Sequence, residues 1–123
     1  MNPQSNVFSA GNLHLAARIA GQGRPVVVLE SGLLAESEAW EPVARGISGF
    51  ARVLWYDRAG RGASSPGPGS RTAGKIAEEL RALLDSTGLA GPYILAGHSL
   101  GGLIVRLFAW RYPHETAGLL LVD

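Results

Sequence analysis

A serine stands between glycines at the end of a short apolar run, in the sequence Gly97-His98-Ser99-Leu100-Gly101. The spacing fits G-x-S-x-G, a pattern in which a strand turns into a helix within about one residue. A turn this sharp forces its central residue to strained backbone angles, which cost about 1–3 kcal/mol, and it lifts the serine hydroxyl clear of the sheet. Glycine is expected on both sides because side chains there would collide. The pattern therefore predicts that Ser99 is a nucleophile for acyl transfer.

The helix that follows the serine would provide part of an oxyanion site. The first N–H groups of a helix have no partner within it, so the N–H of Leu100 is expected to stabilise an oxyanion beside the Ser99 hydroxyl. The simpler alternative is that Ser99 is a helix N-cap next to turn glycines. His98 neighbours the serine in sequence, so we expect its side chain to point elsewhere and to line a pocket or the core.

Two acidic residues follow apolar runs that are typical of buried strands. Glu30 follows the run 26–29, where a carboxylate must be paired or protonated, and we expect a structural ion pair with Arg58. Asp57 ends the next run, and we expect it to organise its own turn by accepting backbone N–H bonds. A catalytic role for either carboxylate is the alternative.

Strand and helix patterns alternate along the chain, which favours βαβ units and a mostly parallel sheet. Functional loops in such sheets gather at the carboxyl ends of the strands. The last predicted helix is apolar nearly all round, so we expect it to be deeply buried. Leu13, Leu15 and Ala17 alternate within the segment 12–21, which is expected to be part of an antiparallel hairpin, and Gly88 is expected to end the second helix. The predicted strands are 26–29, 52–57, 93–96 and 118–123, and the predicted helices are 40–47, 76–84 and 100–110.

Three further segments, together with the serine pattern, resemble the α/β-hydrolase family. The segment YDRAGRGAS (56–64) resembles the family's D-R-x-G-x-G-x-S loop after the fourth strand. The segment VVVLESGLLAESEAW (26–40) resembles the strand and loop that carry the first oxyanion amide, and RYPHETAGLLLVD (111–123) resembles the segment leading into the sixth strand. The resemblance runs in order from about residue 12 to the last residue. It implies an α/β fold in which a mostly parallel sheet lies between two layers of helices.

The resemblance also implies a serine hydrolase, a carboxylic ester hydrolase or a related enzyme, that acts on an ester or amide through an acyl-enzyme on Ser99. A serine in this position, rather than an aspartate, argues against the dehalogenase and epoxide-hydrolase branches. Many relatives have His-Gly where this chain has Ser31-Gly32. If Gly32 matches the family glycine, the backbone N–H of Leu33 is the other oxyanion donor, or that of Leu34 if the loop is shifted by one. The alternative is an ordinary glycine turn.

A serine nucleophile needs a general base, usually an oriented histidine, and the family order is serine, acid, histidine. The histidines are His14, His98 and His114. Only His114 lies after Ser99, as the family order requires. A helix of about 12 residues, roughly 18 Å long, separates the two residues, so His114 is expected to be beyond hydrogen-bond reach of Ser99. Asp123, at the carboxyl end of the last strand, is the candidate triad acid, with a structural or pocket-lining role as the alternative. We expect the base to lie outside this sequence.

The resemblance covers the N-terminal half of the family domain. We therefore expect residues 1–123 to form a partial domain, truncated after the sixth strand and lacking the last strands and the lid. The final strand is apolar at every position from 119 to 122, so it would present an unpaired apolar edge that favours self-association. The alternative to an active enzyme is a catalytically inactive domain, or a binding or assembly module.

The composition limits the remaining classes of function. Hydrophobic residues make up 46% and charged residues 17% of the 123 residues, as in a soluble globular protein. The net charge of +1 gives no reason to expect nucleic acid or an anionic membrane as a partner. The absence of cysteine excludes disulfides and thiolate metal sites, and the resemblance implies no cofactor or metal. No leader and no membrane span are visible, so we expect a cytoplasmic protein with a small-molecule substrate.

Overall fold

A mixed sheet of six strands lies at the centre of the computed structural model, which describes residues 3–32, 37–67 and 69–123. Short 3₁₀ helices cover Ser37–Trp40 and Pro113–Glu115. The strands are β1 (Gln4–Ala10), β2 (Leu13–Ala20), β3 (Val26–Glu30), β4 (Arg52–Tyr56), β5 (Tyr93–His98) and β6 (Thr116–Val122), and the helices are α1 (Glu41–Ile47), α2 (Ala73–Thr87) and α3 (Leu100–Arg111).

The strands lie in the order β1-β2-β4-β3-β5-β6. β1 and β2 form an antiparallel hairpin, and β2 pairs antiparallel with β4. Every other pair is parallel: β4 with β3, β3 with β5, and β5 with β6. The predicted mostly parallel α/β sheet is therefore confirmed, with the antiparallel hairpin at its beginning.

The apolar strands β3 and β4 are buried on both faces because helices cover both sides of the sheet there. In β3, Val26 and Val28 belong to the core beneath α2 and α3, whereas Val27 and Leu29 belong to the core beneath α1. Successive side chains of a strand point to opposite faces, so a strand without polar alternation needs cover on both sides. The result is a sandwich of three layers, helix, sheet and helix, as predicted.

Helix α2 begins at a hydrogen-bonded cap and ends at a glycine. The hydroxyl oxygen of Thr72 accepts a bond of 3.1 Å from the N–H of Lys75, which satisfies one of the unpaired donors of the first turn. Gly88 adopts a left-handed φ of 74° and ends the helix, as predicted. The helix is longer than the predicted segment 76–84 because the apolar stripe marks only its buried face.

Helix α3 is less buried than predicted. Ile104, Val105 and Phe108 are fully buried, but Leu103 is 48% exposed and Trp110 is 79% exposed. The apolar composition of a helix does not determine which neighbours cover each face, and none of the described elements covers the outer face of α3. Neither α3 nor any other described helix is long and apolar enough to cross a membrane.

Strand β6 forms one edge of the sheet and pairs only with β5 among the described strands. The apolar residues 119–122 are between 39% and 59% exposed. A strand of this composition is usually covered on both faces. The unpaired apolar edge predicted for the final strand is therefore present in the part of the chain that the structure describes.

Candidate active site

Ser99 lies at the junction of β5 and α3 with an unusual backbone conformation. Its φ of 56° and ψ of −117° make it the only residue other than glycine with a positive φ among the described residues. This region is sterically unfavourable for a residue with a side chain. The junction exposes Ser99 to solvent, which gives the sharp turn and accessible hydroxyl that the pattern predicts.

The two glycines of the motif are needed because the backbone is closely packed on both sides of the serine. A Cβ atom at Gly97 would overlap the carbonyl oxygen of Gly101, and a Cβ atom at Gly101 would overlap the carbonyl oxygen of Glu30. The predicted collisions are therefore confirmed. The two collisions involve different partners. A Cβ atom at Gly97 would meet the other glycine of the motif, whereas a Cβ atom at Gly101 would meet the backbone of β3.

Ser99 does not behave as an ordinary helix cap. Its side chain makes no capping hydrogen bond to α3, although its carbonyl oxygen accepts a bond of 2.8 Å from the N–H of Gly102. Its own N–H donates to the carbonyl oxygen of Val122 at 3.3 Å, which ties the turn to β6. Leu100 is the first residue of α3, so its N–H has no acceptor within the helix. The role of that N–H as an oxyanion donor stays a prediction.

The loop that follows β3 reaches the same end of the sheet. Ser31 and Gly32 are its last described residues before the gap, and Leu33 and Leu34, the predicted oxyanion donors, lie outside the described residues. Gly32 packs against the residue before the serine, since a Cβ atom at position 32 would lie 3.0 Å from Nδ1 of His98. The prediction that one of these leucines provides an amide stays open.

His98 lines a cavity, as expected for a residue whose side chain points away from its neighbour. The cavity has a volume of about 230 Å³, and its walls include Trp40, Val43 and Val122. The walls are mostly apolar side chains from the α1 side of the sheet. The geometry therefore agrees with a pocket-lining role for His98.

The predicted ion pair between Glu30 and Arg58 is confirmed. Nη1 of Arg58 lies 3.2 Å from Oε2 of Glu30, and both side chains are buried. The hydroxyl of Tyr56 donates a short hydrogen bond to Oε1 of the same carboxylate. Arg58 also donates from Nη1 to the carbonyl oxygen of Ser31 at 2.5 Å and from Nη2 to that of Gly32 at 2.6 Å. One guanidinium thus connects the loop after β4 with the loop after β3.

The environment of Glu30 changes its protonation. Burial raises the pKa of Glu30 to about 7, and the charge of Arg58 and the hydrogen bond from Tyr56 oppose this rise only in part. Burial and the neighbouring carboxylate likewise raise the pKa of Tyr56 well above its usual value. Removing water disfavours the charged form of each group. The Glu30 carboxyl is therefore near its titration midpoint at neutral pH.

Asp57 organises the loop after β4, as predicted. Its Oδ2 accepts a bond of 3.1 Å from the N–H of Ala63, and its carbonyl oxygen accepts one of 2.6 Å from the Ser64 hydroxyl. Asp57 has a further contact that was not predicted: the Ser37 hydroxyl donates to its Oδ1 at 2.5 Å. A serine hydroxyl pairs with many partners, so its residue type alone did not indicate this contact.

The other candidate residues lie at different places in the fold. His14 is exposed on β2. His114 is exposed in the 3₁₀ helix that follows α3, so the length of α3 separates it from Ser99. Asp123 directly follows Val122, whose carbonyl oxygen accepts from Ser99, so it shares an edge of the sheet with the serine. Its role as the triad acid stays a prediction. No group of three or more His, Cys, Asp or Glu residues that could hold a metal ion occurs within 3–32, 37–67 and 69–123.

Comparison with known proteins agrees with this geometry. Residues 25–123 match the family model of the alpha/beta hydrolase fold. The chain belongs to the α/β-hydrolase fold family. It is 36% identical over 104 residues to an AB hydrolase superfamily protein of Gibberella zeae, a match that covers 81% of this chain and 32% of that protein.

Solved structures of this α/β-hydrolase family show the same arrangement. A membrane phospholipase A matches with a TM-score of 0.90 and 30% identity, over 97% of this chain and 39% of that one. Epoxide hydrolase A from Mycobacterium thermoresistibile matches with a TM-score of 0.89 and 25% identity, over 98% of this chain and 39% of that one. The chain thus spans about two fifths or less of the length of these relatives.

Proposed function

We propose that this chain carries the nucleophile of a serine hydrolase that acts on an ester or amide carbonyl. The observation that supports the proposal is the conformation of Ser99, an exposed serine with a φ of 56° between a strand and a helix. Backbone strain at such a position persists only where the surrounding structure enforces it. Here the packing of Gly97 and Gly101 against neighbouring carbonyl oxygens enforces it.

The proposed reaction passes through an acyl-enzyme. The Ser99 oxygen attacks the carbonyl carbon, and its proton passes to a general base. The N–H groups of Leu100 and Leu33 stabilise the negative charge on the carbonyl oxygen. Collapse of the tetrahedral intermediate releases the alcohol or amine, which takes the proton from the base. A water molecule, deprotonated by the same base, then attacks the carbonyl carbon of the acyl-enzyme, which releases the acid and returns the proton to Ser99.

The base of this reaction is proposed to be a histidine outside the present sequence, with Asp123 as the candidate acid. His98 faces a cavity beside Gly32, and His114 is at the far end of α3. A relative named as a phospholipase supports chemistry at an ester carbonyl. A serine, rather than a carboxylate, as nucleophile favours acyl transfer over the reaction that the name epoxide hydrolase implies.

A fluorophosphonate probe tests the proposal, because its phosphorus reacts with an activated serine and loses fluoride. In the protein that contains the proposed histidine base, we expect intact-protein mass spectrometry to show one added phosphonyl group, mapped to Ser99. The label should be absent from Ser99→Ala and unchanged in Ser9→Ala, a control at an exposed serine of β1. A label that persists in Ser99→Ala would contradict the proposal, and so would an unlabelled wild-type protein in which the proposed histidine base is present.

A catalytically inactive domain that acts by association is the second candidate. The observation that favours it is the exposed apolar edge formed by residues 119–122 of β6, which is a typical site for pairing with another strand. An inert Ser99 in the labelling experiment, together with stable self-association of the chain, would favour this candidate over the hydrolase.

A further inference from the structure

A cavity separate from the one beside His98 lies across β1, β2 and β4, on the α1 side of the sheet. Its volume is about 210 Å³. Ser5 of β1 pairs with Arg18 of β2, and Arg18 pairs in turn with Trp55 of β4, which belongs to the core beneath α1. All three residues line the cavity. Because directly paired residues of antiparallel strands share a face of the sheet, these three side chains form one row across the floor of the cavity.

Two hydrogen-bond donors of this row have unused capacity. Trp55 is fully buried, and its indole Nε1 has no hydrogen-bond partner among the described residues. A buried donor of this kind has lost its bond to water and gained none in exchange. Arg18 donates from Nη1 to the Ser37 hydroxyl at 3.2 Å, but it forms no ion pair with any carboxylate that the structure describes. A guanidinium carries five N–H donors, so most of those of Arg18 remain available.

The carboxylate on the cavity wall is already hydrogen-bonded. Asp57 is the one acidic residue among the described residues that line the cavity. Its Oδ1 accepts from the Ser37 hydroxyl, and its Oδ2 accepts from the N–H of Ala63. The unused hydrogen-bonding capacity of the charged groups therefore lies on the cation, Arg18. A free guanidinium beside an unpaired indole N–H favours a ligand with an anionic acceptor group.

The remaining walls are largely apolar and limit the size of the ligand. Val7, Ala16 and Ala63 line the cavity together with the side chain of Trp55. An apolar cavity of roughly 150 Å³ holds a benzene ring. The present cavity, of about 210 Å³, therefore has room for a ring or a short chain that carries one small polar group.

We propose that this cavity binds a small carboxylic acid with an apolar body. Arg18 pairs with the carboxylate of the ligand, and Nε1 of Trp55 donates a second hydrogen bond to it. The apolar body contacts Val7 and Ala16. The site is separate from Ser99, because none of the lining residues that the structure describes belongs to β5 or α3. The inference thus goes beyond the proposed function and does not depend on it.

Titration of the protein with sodium phenylacetate tests the inference, and two related compounds are the controls. The indole N–H signal of Trp55 is followed by proton–nitrogen correlation NMR, and its disappearance in Trp55→Phe assigns it. Phenylacetate should shift this signal to saturation, with a dissociation constant of about 1 mM or lower. Phenylacetamide has the ring without the charge, and acetate has the charge without the ring. Each should bind about tenfold more weakly or worse, because each lacks one of the two interactions.

Arg18→Gln tests the role of the cation, with Arg45→Gln as the matched control. Arg45 is an arginine of α1 whose side chain is 63% exposed, and it does not line the cavity. Arg18→Gln should bind phenylacetate about tenfold more weakly, which is the effect of losing a hydrogen bond to a charged group. Arg45→Gln and Ser99→Ala should both bind it like the wild type, and circular dichroism verifies the fold of each variant.

Ala16→Leu is the second variant if Arg18→Gln does not fold. Ala16 pairs with Val7 and lines the cavity, so a larger side chain there should fill the space and prevent binding. A Trp55 signal that does not respond to phenylacetate, equal affinity for phenylacetamide, or an unchanged affinity in Arg18→Gln would overturn the inference. Loss of binding in Ser99→Ala would also overturn it, because it would place the acid at the serine turn. Labelling of Ser99 is measured separately, so failure of this inference and failure of the proposed function are distinguishable.

Discussion

Glu30 couples its own protonation to the stability of the fold. The carboxyl is fully buried, and burial raises its pKa to about 7, against an ordinary value of 4.5. The folded protein therefore binds this proton more tightly than the unfolded chain does. The stability that the proton provides is fully present below the unfolded pKa, and it is lost as the pH rises through about 7.

Glu30→Gln should remove this pH dependence because the amide does not titrate. We expect the wild type to lose about 2 kcal/mol of unfolding free energy relative to the variant between about pH 5 and pH 8. Urea denaturation of both proteins at the two pH values measures this difference. The contributions of the other titrating groups are common to both proteins and largely cancel. A difference that is the same at both values would contradict the raised pKa of Glu30.

The residues of the site differ in how well their contacts could be predicted. A carboxylate at the end of an apolar strand must be paired or protonated, and Arg58 was the expected partner because its loop starts at the end of the adjacent strand. The bonds from Arg58 to the carbonyl oxygens of Ser31 and Gly32 had no such signal, since every residue carries a carbonyl group. The hydrogen bond from the Tyr56 hydroxyl to Glu30 was not predicted either, because the sequence indicated only that Tyr56 belongs to a strand.

At the scale of elements, the junction of β5 with α3 depends on close backbone approach. Gly101 brings the first turn of α3 against the carbonyl oxygen of Glu30 in β3, and no Cβ atom fits between them. A glycine inside a helix is otherwise unfavourable, by about 1 kcal/mol relative to alanine. Glycine at position 101 therefore lowers the helix propensity of α3 but allows the close contact with β3 that holds Ser99 at the end of the sheet.

Two glycine-to-alanine changes in helices should have opposite signs. Gly101→Ala is expected to destabilise the fold by about 1–3 kcal/mol, because the added methyl group displaces the backbone of β3 or α3. Gly46→Ala, in α1, has open space at its Cβ position and should stabilise the fold by about 0.5–1 kcal/mol. Thermal and urea unfolding of the two variants measure both effects. A stabilised Gly101→Ala protein would show that the contact with Glu30 is not close.

The strands were predicted more accurately than the exposure of the helices. Apolar runs rich in valine and leucine indicate strands that are buried on both faces, and β3 and β4 lie within one residue of their predicted bounds. The burial of α3 was overestimated because apolar residues occur on every side of this helix. The sequence pattern does not identify which neighbouring element covers each side. The exposed Trp110 and Leu103 are the clearest cases.

At the scale of the whole molecule, apolar side chains are concentrated at one edge of the sheet. Residues 119–122 of β6 are 39–59% exposed. The backbone donors and acceptors on the outer side of an edge strand are available for pairing with another strand. We propose that β6 pairs with β6 of a second copy of the chain, in agreement with the self-association expected from the sequence.

Leu120→Lys should weaken this association, because a lysine on an edge strand opposes pairing with a second strand. Sedimentation velocity at increasing protein concentration should show the wild type moving from monomer to dimer and the variant remaining monomeric. Phe50→Lys is the control, because Phe50 is 76% exposed but lies in the turn before β4. A wild type that stays monomeric, or an equal effect of both changes, would contradict the proposal.

The N–H of Ser99 donates to the carbonyl oxygen of Val122, so the reactive turn and the outermost strand share a hydrogen bond. A strand that pairs along β6 and displaces Val122 would also displace the backbone N–H of Ser99. Such a displacement would reach the serine through this main-chain bond and through the pairing of β6 with β5, so the reactivity of Ser99 would depend on whether the edge of β6 is free or occupied.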